Sequence, residues 1–488
     1  MSYIARTGGA ATPAIFGIVA LLFAGCRGTH EAGVRAELDR VSRELAARST
    51  SAMGGTLEEQ LAFAIERSPE LRAAFERWRA GVHRIAPARR LPEPMLEVGV
   101  FVWDSEDGAG VAAASAGIRQ DIPWPTRLSA EADAAAAEAL ALGRRFEALV
   151  LDLRGRVAEA HYGLWLVRRV RTIEREQLEV LRGLAESALG GVATGTRSLA
   201  DQQQIQLALS RLEDDVAALG EQEVILEATL RALLTASPGE RIGTHAEPPP
   251  PALPEDDEET LREVAKGHPL VESFTLRGEA AEALAKSQRA GRLPSFAVGL
   301  EWMRMPGSMG TSAIAPSLGV RLPIYQGSYR EAARAAEAEA LAQRADSSAA
   351  ALTLYAELEE AMAKVRDTHR RVELGERVLR PQAEAAYGSV LGAFRVGRSS
   401  VAASLLAQRE LLEIRVGLEQ ARAEHAMAWA RLERAVGRKL ARRAAGDPCV
   451  SGAGASACEP SADRGESVTP EEGDEPVAQA EGERHEDE

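Results

Sequence analysis

The sequence predicts a mainly α-helical fold with a small β part, in which one strand-strand-long helix-helix unit occurs twice. The composition favours long helices, because alanine is abundant, aromatic residues make up 4% and charged residues 27%. The duplication is visible at a spacing of 202 residues, where Gly117-Ile118-Arg119 returns as Gly319-Val320-Arg321 and Gly195 returns as Gly397. Two period-two segments followed by a long proline-free stretch give the order of elements within each copy.

The repeat sets the predicted domain boundaries. They are a signal segment at 1–25, an N-terminal linker at 26–55, a first repeat at 56–236, a Pro-rich linker at 237–259, a second repeat at 260–440 and a disordered acidic tail at 441–488. The net charge of −15 argues against a nucleic-acid partner, since no basic stripe is present to meet phosphates.

The N-terminus has the pattern of an export signal. One basic residue, Arg6, precedes an apolar run that is too short for a stable membrane span. The residues before Cys26 resemble a bacterial lipoprotein cleavage site, which predicts lipidation of Cys26 and, because Arg27 follows, sorting to the outer membrane. An ordinary signal peptide with an incidental cysteine is the alternative.

Four segments alternate between apolar and polar or small residues, as membrane-barrel strands do. Aromatic residues stand at their ends, where membrane interfaces favour them. Two half-buried hairpins of a soluble domain share this period and remain the alternative. Because charges on a lipid face are costly, alternation predicts that one set of charged residues faces a barrel lumen. The set is Glu97, Arg119, Asp121, Glu301 and Arg321.

The helical segments begin with a capping-box pattern, Thr56 with Glu59, and an early interruption at Pro69. A proline-free stretch then covers 126–188 with an apolar heptad seam, and its counterpart covers 328–394 with a kink expected at Pro381. Return helices are predicted at 199–234 and 401–436. Each repeat is thus a helical pair about 100 Å long.

Four strands cannot close a barrel, and lipid does not tolerate an open sheet edge. The strands must therefore be supplied to an oligomer. Two, three or four copies would give 8, 12 or 16 strands, and the larger barrels leave a channel.

Three segments of the second copy carry a resemblance to a known family. They are LRPQAEAAY at 379–387, FRVGRSS at 394–400 and LLAQRELL at 405–412, with GTRSLAD at 195–201 in the first copy. Over about 56–438 the chain resembles the TolC-like outer membrane efflux proteins, many of which are lipoproteins. The resemblance implies a homotrimer with a 12-stranded transmembrane β-barrel continuous with a periplasmic α-helical barrel. It implies a passive exit duct of a tripartite efflux or type I secretion system, serving an inner-membrane transporter and a periplasmic adaptor.

The resemblance also assigns roles at the helix-turn-helix tips. Adaptor docking falls on Gly195, Thr196, Arg197, Gly397, Arg398 and Ser399. The same glycines would equally serve as helix C-caps. An acidic gate ring falls on Asp201, whose counterpart in the second copy is Ala403, so that a trimer would carry three such carboxylates. An ordinary aspartate at a helix N-terminus is the alternative.

Two other protein classes fit parts of the sequence pattern. A periplasmic adaptor would have one helical hairpin between small β domains, and a structural coiled-coil lipoprotein would lack four amphipathic strands. An enzyme is disfavoured, because no phosphate loop, metal-ligand spacing or nucleophile elbow is present, and no cofactor or metal is expected.

Overall fold

The computed structural model describes residues 29–47, 54–104, 110–193, 195, 197–237, 240, 242–243, 246–304, 312–396 and 398–443. For residues 29–30, 46–47, 103–104 and 110–112 it describes the backbone only. The signal segment at 1–25, Cys26, Thr196, Gly397 and the tail beyond 443 lie outside the described residues. No described helix has the length and hydropathy needed to cross a membrane.

An N-terminal helix, α1 (Thr29–Ala47), precedes the first repeat. The elements of the first repeat are α2 (Leu57–Arg67), α3 (Pro69–Ala88), β1 (Met95–Asp104), β2 (Gly110–Ile122), α4 (Pro125–Ala193) and α5 (Leu199–Leu234). The second repeat has α6 (Glu258–Lys266), α7 (Pro269–Ala290), β3 (Ser295–Arg304), β4 (Ser312–Arg321), α8 (Gln326–Leu374), a π-helical turn (Gly375–Leu379), α9 (Arg380–Arg395) and α10 (Val401–Val436).

The predicted capping box at the start of the first repeat is confirmed. The Thr56 hydroxyl accepts the Glu59 N–H at 3.3 Å, and the Glu59 carboxylate accepts the Thr56 N–H at 3.0 Å. The interruption at Pro69 is also confirmed, because Ser68 ends α2 and caps α3 by accepting the Leu71 N–H. Proline at the first position of α3 needs no N–H partner there.

The four strands form one antiparallel sheet in the order β1-β2-β3-β4. The two hairpins, β1-β2 and β3-β4, are joined by β2 and β3, which pair from Ala114 opposite Arg304 to Ile122 opposite Phe296. A strand from each repeat therefore meets at the centre of the sheet. Among the described residues no strand pairs with the outer edge of β1 or of β4.

The 69 residues of α4 span about 100 Å. The apolar heptad positions of α4 are buried in a hydrophobic core, and Leu153, Val157 and Leu164 are no more than 3% exposed. At the sheet end this core contains an aromatic cluster, in which the ring of Trp78 on α3 lies 6.0 Å from that of Phe146. Further along α4, the end of α5 and α2 pack against the same core.

Ion pairs join the two repeats along the contact between α4 and α10. They are Arg434 with Asp152 at 3.2 Å, Arg431 with Glu159 at 2.6 Å, Arg415 with Glu176 at 3.1 Å and Arg169 with Glu419 at 3.3 Å. Glu419 is buried and also meets Arg422, so its carboxylate is satisfied from both sides. The repeats are thus fixed to each other by polar as well as apolar contacts.

In the second repeat, the backbone before Pro381 differs from the simple kink that the sequence predicts there. A π-helical turn precedes the proline, and the Arg380 N–H donates to the Gly375 carbonyl five residues back. Proline cannot donate to the preceding turn and crowds it, so the wider turn accommodates Pro381 without ending the helix.

The N-terminal region treated as a linker contains a helix, α1. Its Val34 and Leu38 are buried in the core of the first repeat, and Glu31 pairs with Arg89 at 3.0 Å. The spacing of Val34, Leu38, Val41 and Leu45 is helical and carries the signal in the sequence.

Candidate functional site

The sheet places the five charged residues of the predicted lumen set on one face. Glu97 and Glu301 flank Gly117 in one row of the sheet, and the remaining three lie toward the end that continues into the helices. Arg321 on β4 pairs with Asp121 on β2 at 2.7 Å, although the two residues are 200 positions apart. Small residues lie beside the charged ones on this face, so the charged side chains have room to extend from it. They are Gly99, Ser115, Gly117, Ala297, Gly299, Ser317 and Gly319, and the same face also carries the larger Met95, Phe101 and Met303.

The opposite face of the sheet is apolar and exposed. Its side chains point away from the charged face, as the pleat requires. Val98 is 72% exposed, Leu300 57% and Leu318 74%. The same face carries Leu96, Val100, Val102, Ile118, Phe296, Val298, Trp302, Ile314 and Val320. An apolar area of this extent marks a surface that is covered by lipid or by protein.

The two helical tips lie side by side. An apolar cluster of Ala185, Ala188, Ile205, Phe394 and Val401 is shared by both hairpins. The Arg197 guanidinium lies 3.9 Å from the centre of the Phe394 ring, a cation–π contact between the two turns. The predicted docking residues that are described therefore belong to one composite end surface.

The backbone of the tip turns explains part of their sequence. Gly195 has φ +72°, a left-handed conformation that glycine adopts without strain, and its N–H donates to the Val192 carbonyl. In the second tip the Arg398 N–H donates to the Ala393 carbonyl at 2.8 Å, while Ser399 lies next to the cap residue Ser400. Gly195 therefore has the backbone conformation of a helix C-cap residue, and this conformation is compatible with a docking role.

Asp201 takes part in a capping box at the start of α5. Its carboxylate accepts the Ser198 N–H at 3.2 Å and the Ser198 hydroxyl at 2.8 Å. In the second tip Ser400 accepts the Ala403 N–H, but Ala403 returns no bond. The side chain of Asp201 is only half-buried, so capping leaves part of the carboxylate open to solvent.

Two buried histidines hold the linker between the repeats. The Gln60 amide nitrogen donates to the Gly243 carbonyl at 2.9 Å, so its oxygen accepts from His161 Nδ1, also at 2.9 Å. His161 Nε2 has no partner among the described residues, and burial lowers the pKa of His161 to about 4 against a small opposing effect of Glu58.

His425 makes the second contact. Its Nε2 accepts the Ala252 N–H at 3.1 Å, which leaves Nδ1 protonated to donate to the Thr368 hydroxyl. Burial, with a smaller effect of His369, lowers the pKa of His425 to about 4.

No local sequence pattern indicates these contacts. The partners of His161, His425 and Arg197 lie 57 to 197 positions away in the chain, where no local period reports a contact. No cluster of three or more His, Cys, Asp or Glu side chains in the described part of the chain could hold a metal ion.

The fold is that of outer membrane channels of known structure. CusC superposes with a TM-score of 0.68 and 16% identity, covering 80% of this chain and 94% of its own. VceC of Vibrio cholerae superposes with a TM-score of 0.66 and 16% identity, covering 78% of this chain and 96% of its own. The open state of MtrE of Neisseria gonorrhoeae superposes with a TM-score of 0.63 and 16% identity, covering 79% of this chain and 89% of its own. The chain matches no curated protein sequence.

One part of the sequence matches a family model. Residues 260–438 match the family model described as "Outer membrane efflux protein". This match covers the second repeat, and the fold shared with the solved structures extends over both repeats.

Proposed function

We propose that the chain is the outer membrane exit duct of a tripartite efflux or type I secretion system. Three copies would supply twelve strands to one transmembrane barrel, with the apolar sheet face toward lipid and the charged face lining the lumen. The observation that carries the proposal is the sheet itself, which has one exposed apolar face, one charged face and a direct connection to helices of about 100 Å. Its two outer edges have no partner strand in the described part of the chain.

The helices would extend into the periplasm and end at the adaptor. A periplasmic adaptor would dock on the composite tip surface, and an inner-membrane transporter would supply the exported substrate. The cation–π contact of Arg197 with Phe394 supports a joint surface, because it holds the two tips of one copy together. Lipid chains on Cys26 would anchor the duct further.

Membrane fractionation tests this proposal against an adaptor or a structural lipoprotein. The chain is expected in the outer membrane fraction as a trimer that resists detergent and dissociates on heating. Recovery in the inner membrane, or as a monomer in the outer membrane, would contradict a duct.

We expect Asp201 to act at the periplasmic entrance in addition to capping α5. Asp201→Asn removes the charge but keeps a side-chain oxygen for the cap, whereas Asp201→Ala removes both and costs about 1 kcal/mol of local stability. Both variants should reduce block by divalent cations in planar-bilayer recordings. Ala403→Asp, which adds the missing carboxylate of the second tip, should increase that block.

Asp201→Asn distinguishes the two roles. If channels of the Asp201→Asn variant show the same conductance and the same block by divalent cations as the unmodified protein, Asp201 is a capping residue and does not form a gate.

A further inference from the structure

A basic depression lies directly below the sheet, where α7 ends and β3 begins. It has a volume of about 470 Å³ and is lined by three cations of α7 and of the turn after it, together with the starts of α4 and α8. The cations are Lys286, Arg289 and Arg292, and the polar residues beside them are Thr126 and Gln326. Three positive charges are thus concentrated next to the strands of the proposed barrel.

Acidic side chains neutralise the depression only in part. Arg289 donates through Nε to the Glu337 carboxylate at 2.9 Å. Arg292 donates instead to the side-chain oxygen of Gln326 at 3.2 Å. Lys286 and Arg292 are exposed, and neither has an acidic partner among the described residues. Two of the three charges are therefore available to an anion that approaches from outside the protein.

Contacts along α7 show which side of the helical layer carries the depression. Lys286 lies two heptads after Glu272, so both residues stand on one stripe of α7. Glu272 pairs with Arg144 on α4 at 3.0 Å, and Arg144 also lies within electrostatic range of Glu37 on α1. Helix α1 therefore covers the same side as this stripe. In the proposed duct that side is the outer one, because an additional helix on the inner side would fill the lumen.

The depression lies at the height of the lipid headgroups in the proposed barrel. Phe296, the first apolar-face residue of β3, follows Arg292 closely, and its ring lies 6.1 Å from that of Trp124 just past β2. Aromatic residues favour this membrane interface. The headgroup layer is about 5–8 Å deep on each side of the hydrocarbon core, and a helix rises about 1.5 Å per residue. Arg289 and Arg292 therefore fall within that layer, and the long side chain of Lys286 can extend into it.

The charges of the chain are divided unevenly between the two ends of the sheet. The segments at the helix side contain eight lysines and arginines but only one acid, Glu93. These segments are 83–94, 123–130, 284–294 and 322–330. At the opposite end, 104–110 and 304–312 contain three acids and one arginine. Because the whole chain has a net charge of −15, the basic end is a local exception and not a property of the composition.

The first repeat carries a weaker form of the same feature. Arg84 and Arg90 precede Lys286 and Arg292 by 202 residues and are exposed. Glu93 pairs with Arg90 at 3.2 Å, which offsets one of these charges. The depression of the second repeat is therefore the stronger anion-binding surface of the two.

We propose that this depression binds the phosphate group of an anionic phospholipid in the membrane leaflet next to the helices. Arginine offers paired N–H donors that match phosphate oxygens, and lysine adds a mobile point charge. Clusters of basic residues beside a membrane span favour lipids with a net negative charge over zwitterionic ones, whose own cation competes for the phosphate. The inference rests on the proposed transmembrane barrel, which sets the level of the membrane.

The lipid selectivity of the trimer in vesicles tests the site. Phosphatidylcholine vesicles receive a trace of spin-labelled phosphatidylglycerol or of spin-labelled phosphatidylcholine, and electron spin resonance gives the fraction of each that is immobilised on the protein. The unmodified trimer should prefer phosphatidylglycerol about threefold, and Lys286→Gln with Arg289→Gln and Arg292→Gln should bring the two lipids close to parity. Lys286→Gln alone breaks no ion pair among the described residues and should remove part of the preference.

The matched control removes three exposed arginines from helices far from the sheet. It combines Arg370→Gln, Arg377→Gln and Arg409→Gln, each of which pairs only within its own helix. The control should keep the preference of the unmodified trimer. Equal association of both lipids with the unmodified trimer, or an equal loss of preference in the control and in the triple variant of the depression, would overturn the site.

Competition with salts separates a lipid from a free anion. Inorganic phosphate should displace no more phosphatidylglycerol than sodium chloride does at the same ionic strength, because both act there by screening. Stronger displacement by phosphate would identify a site for the free ion and overturn the lipid assignment. A chain that does not enter vesicles would contradict the proposed barrel and the lipid site together, whereas entry without lipid preference would contradict the lipid site alone.

Discussion

Replacing Leu300 by arginine is expected to prevent assembly of the barrel in a bilayer. Leu300 lies on the central strand β3, in the middle of the apolar face, and is 57% exposed. An arginine facing lipid near the midplane costs about 2–4 kcal/mol, so three copies would lose about 6–12 kcal/mol. The yield of folded trimer in lipid vesicles, measured by resistance to detergent on unheated gels, gives the effect directly.

The neighbouring substitution Glu301→Arg is the matched control. It introduces the same side chain one position further along the strand, on the charged face. Trimer yield should stay near that of the unmodified protein, while ion selectivity shifts toward anions. Equal loss of assembly in both variants would show that the two faces do not have different environments.

Acidification is expected to destabilise the helical part between pH 7.5 and 5.0 through His161 and His425. Both are neutral in the fold, with pKa values lowered to about 4 by burial, whereas an unfolded histidine titrates near pH 6.5. The unfolded state therefore binds more protons below pH 6.5, and stability is lost as the pH falls from about 6.5 toward 4. At pH 5.0 the loss is about 2 kcal/mol for each histidine.

The variants His161→Asn and His425→Asn test the assignment. Asparagine keeps a donor near the position of Nδ1, so the hydrogen bonds to Gln60 and Thr368 can persist while the titrating ring is removed. Denaturant unfolding in detergent should show a weaker dependence on pH for each variant and the weakest for the double variant. The exposed His83→Asn is the control, and a pH dependence unchanged in the double variant would exclude the two buried histidines as its cause.

The sequence predicted those parts of the fold that depend on neighbours in the chain. The bounds of the return helix at 199–234 follow from Ser198 as its cap and from the helical period, and the strand faces follow from alternation. The charged face is an example, because the two-residue alternation alone places Glu97 and Glu301 on the side of their strands opposite to the apolar side chains.

Features that depend on distant residues were not predictable in the same way. The contact of Arg197 with Phe394 and the bonds that tie the linker to His161 arise only when both repeats are in place. The π-helical turn before Pro381 was expected as a kink, since a sequence shows that proline disrupts a helix but not how the backbone adjusts.

Three copies of this chain are proposed to form an open duct through the outer membrane, and single-channel recording in planar bilayers is the most direct test. Purified trimer should give discrete conductance steps whose ion selectivity moves toward anions in Glu301→Arg. Trimers that insert into the bilayer without conducting, or conductance whose selectivity is unaffected by that substitution, would contradict a pore lined by the charged face of the sheet.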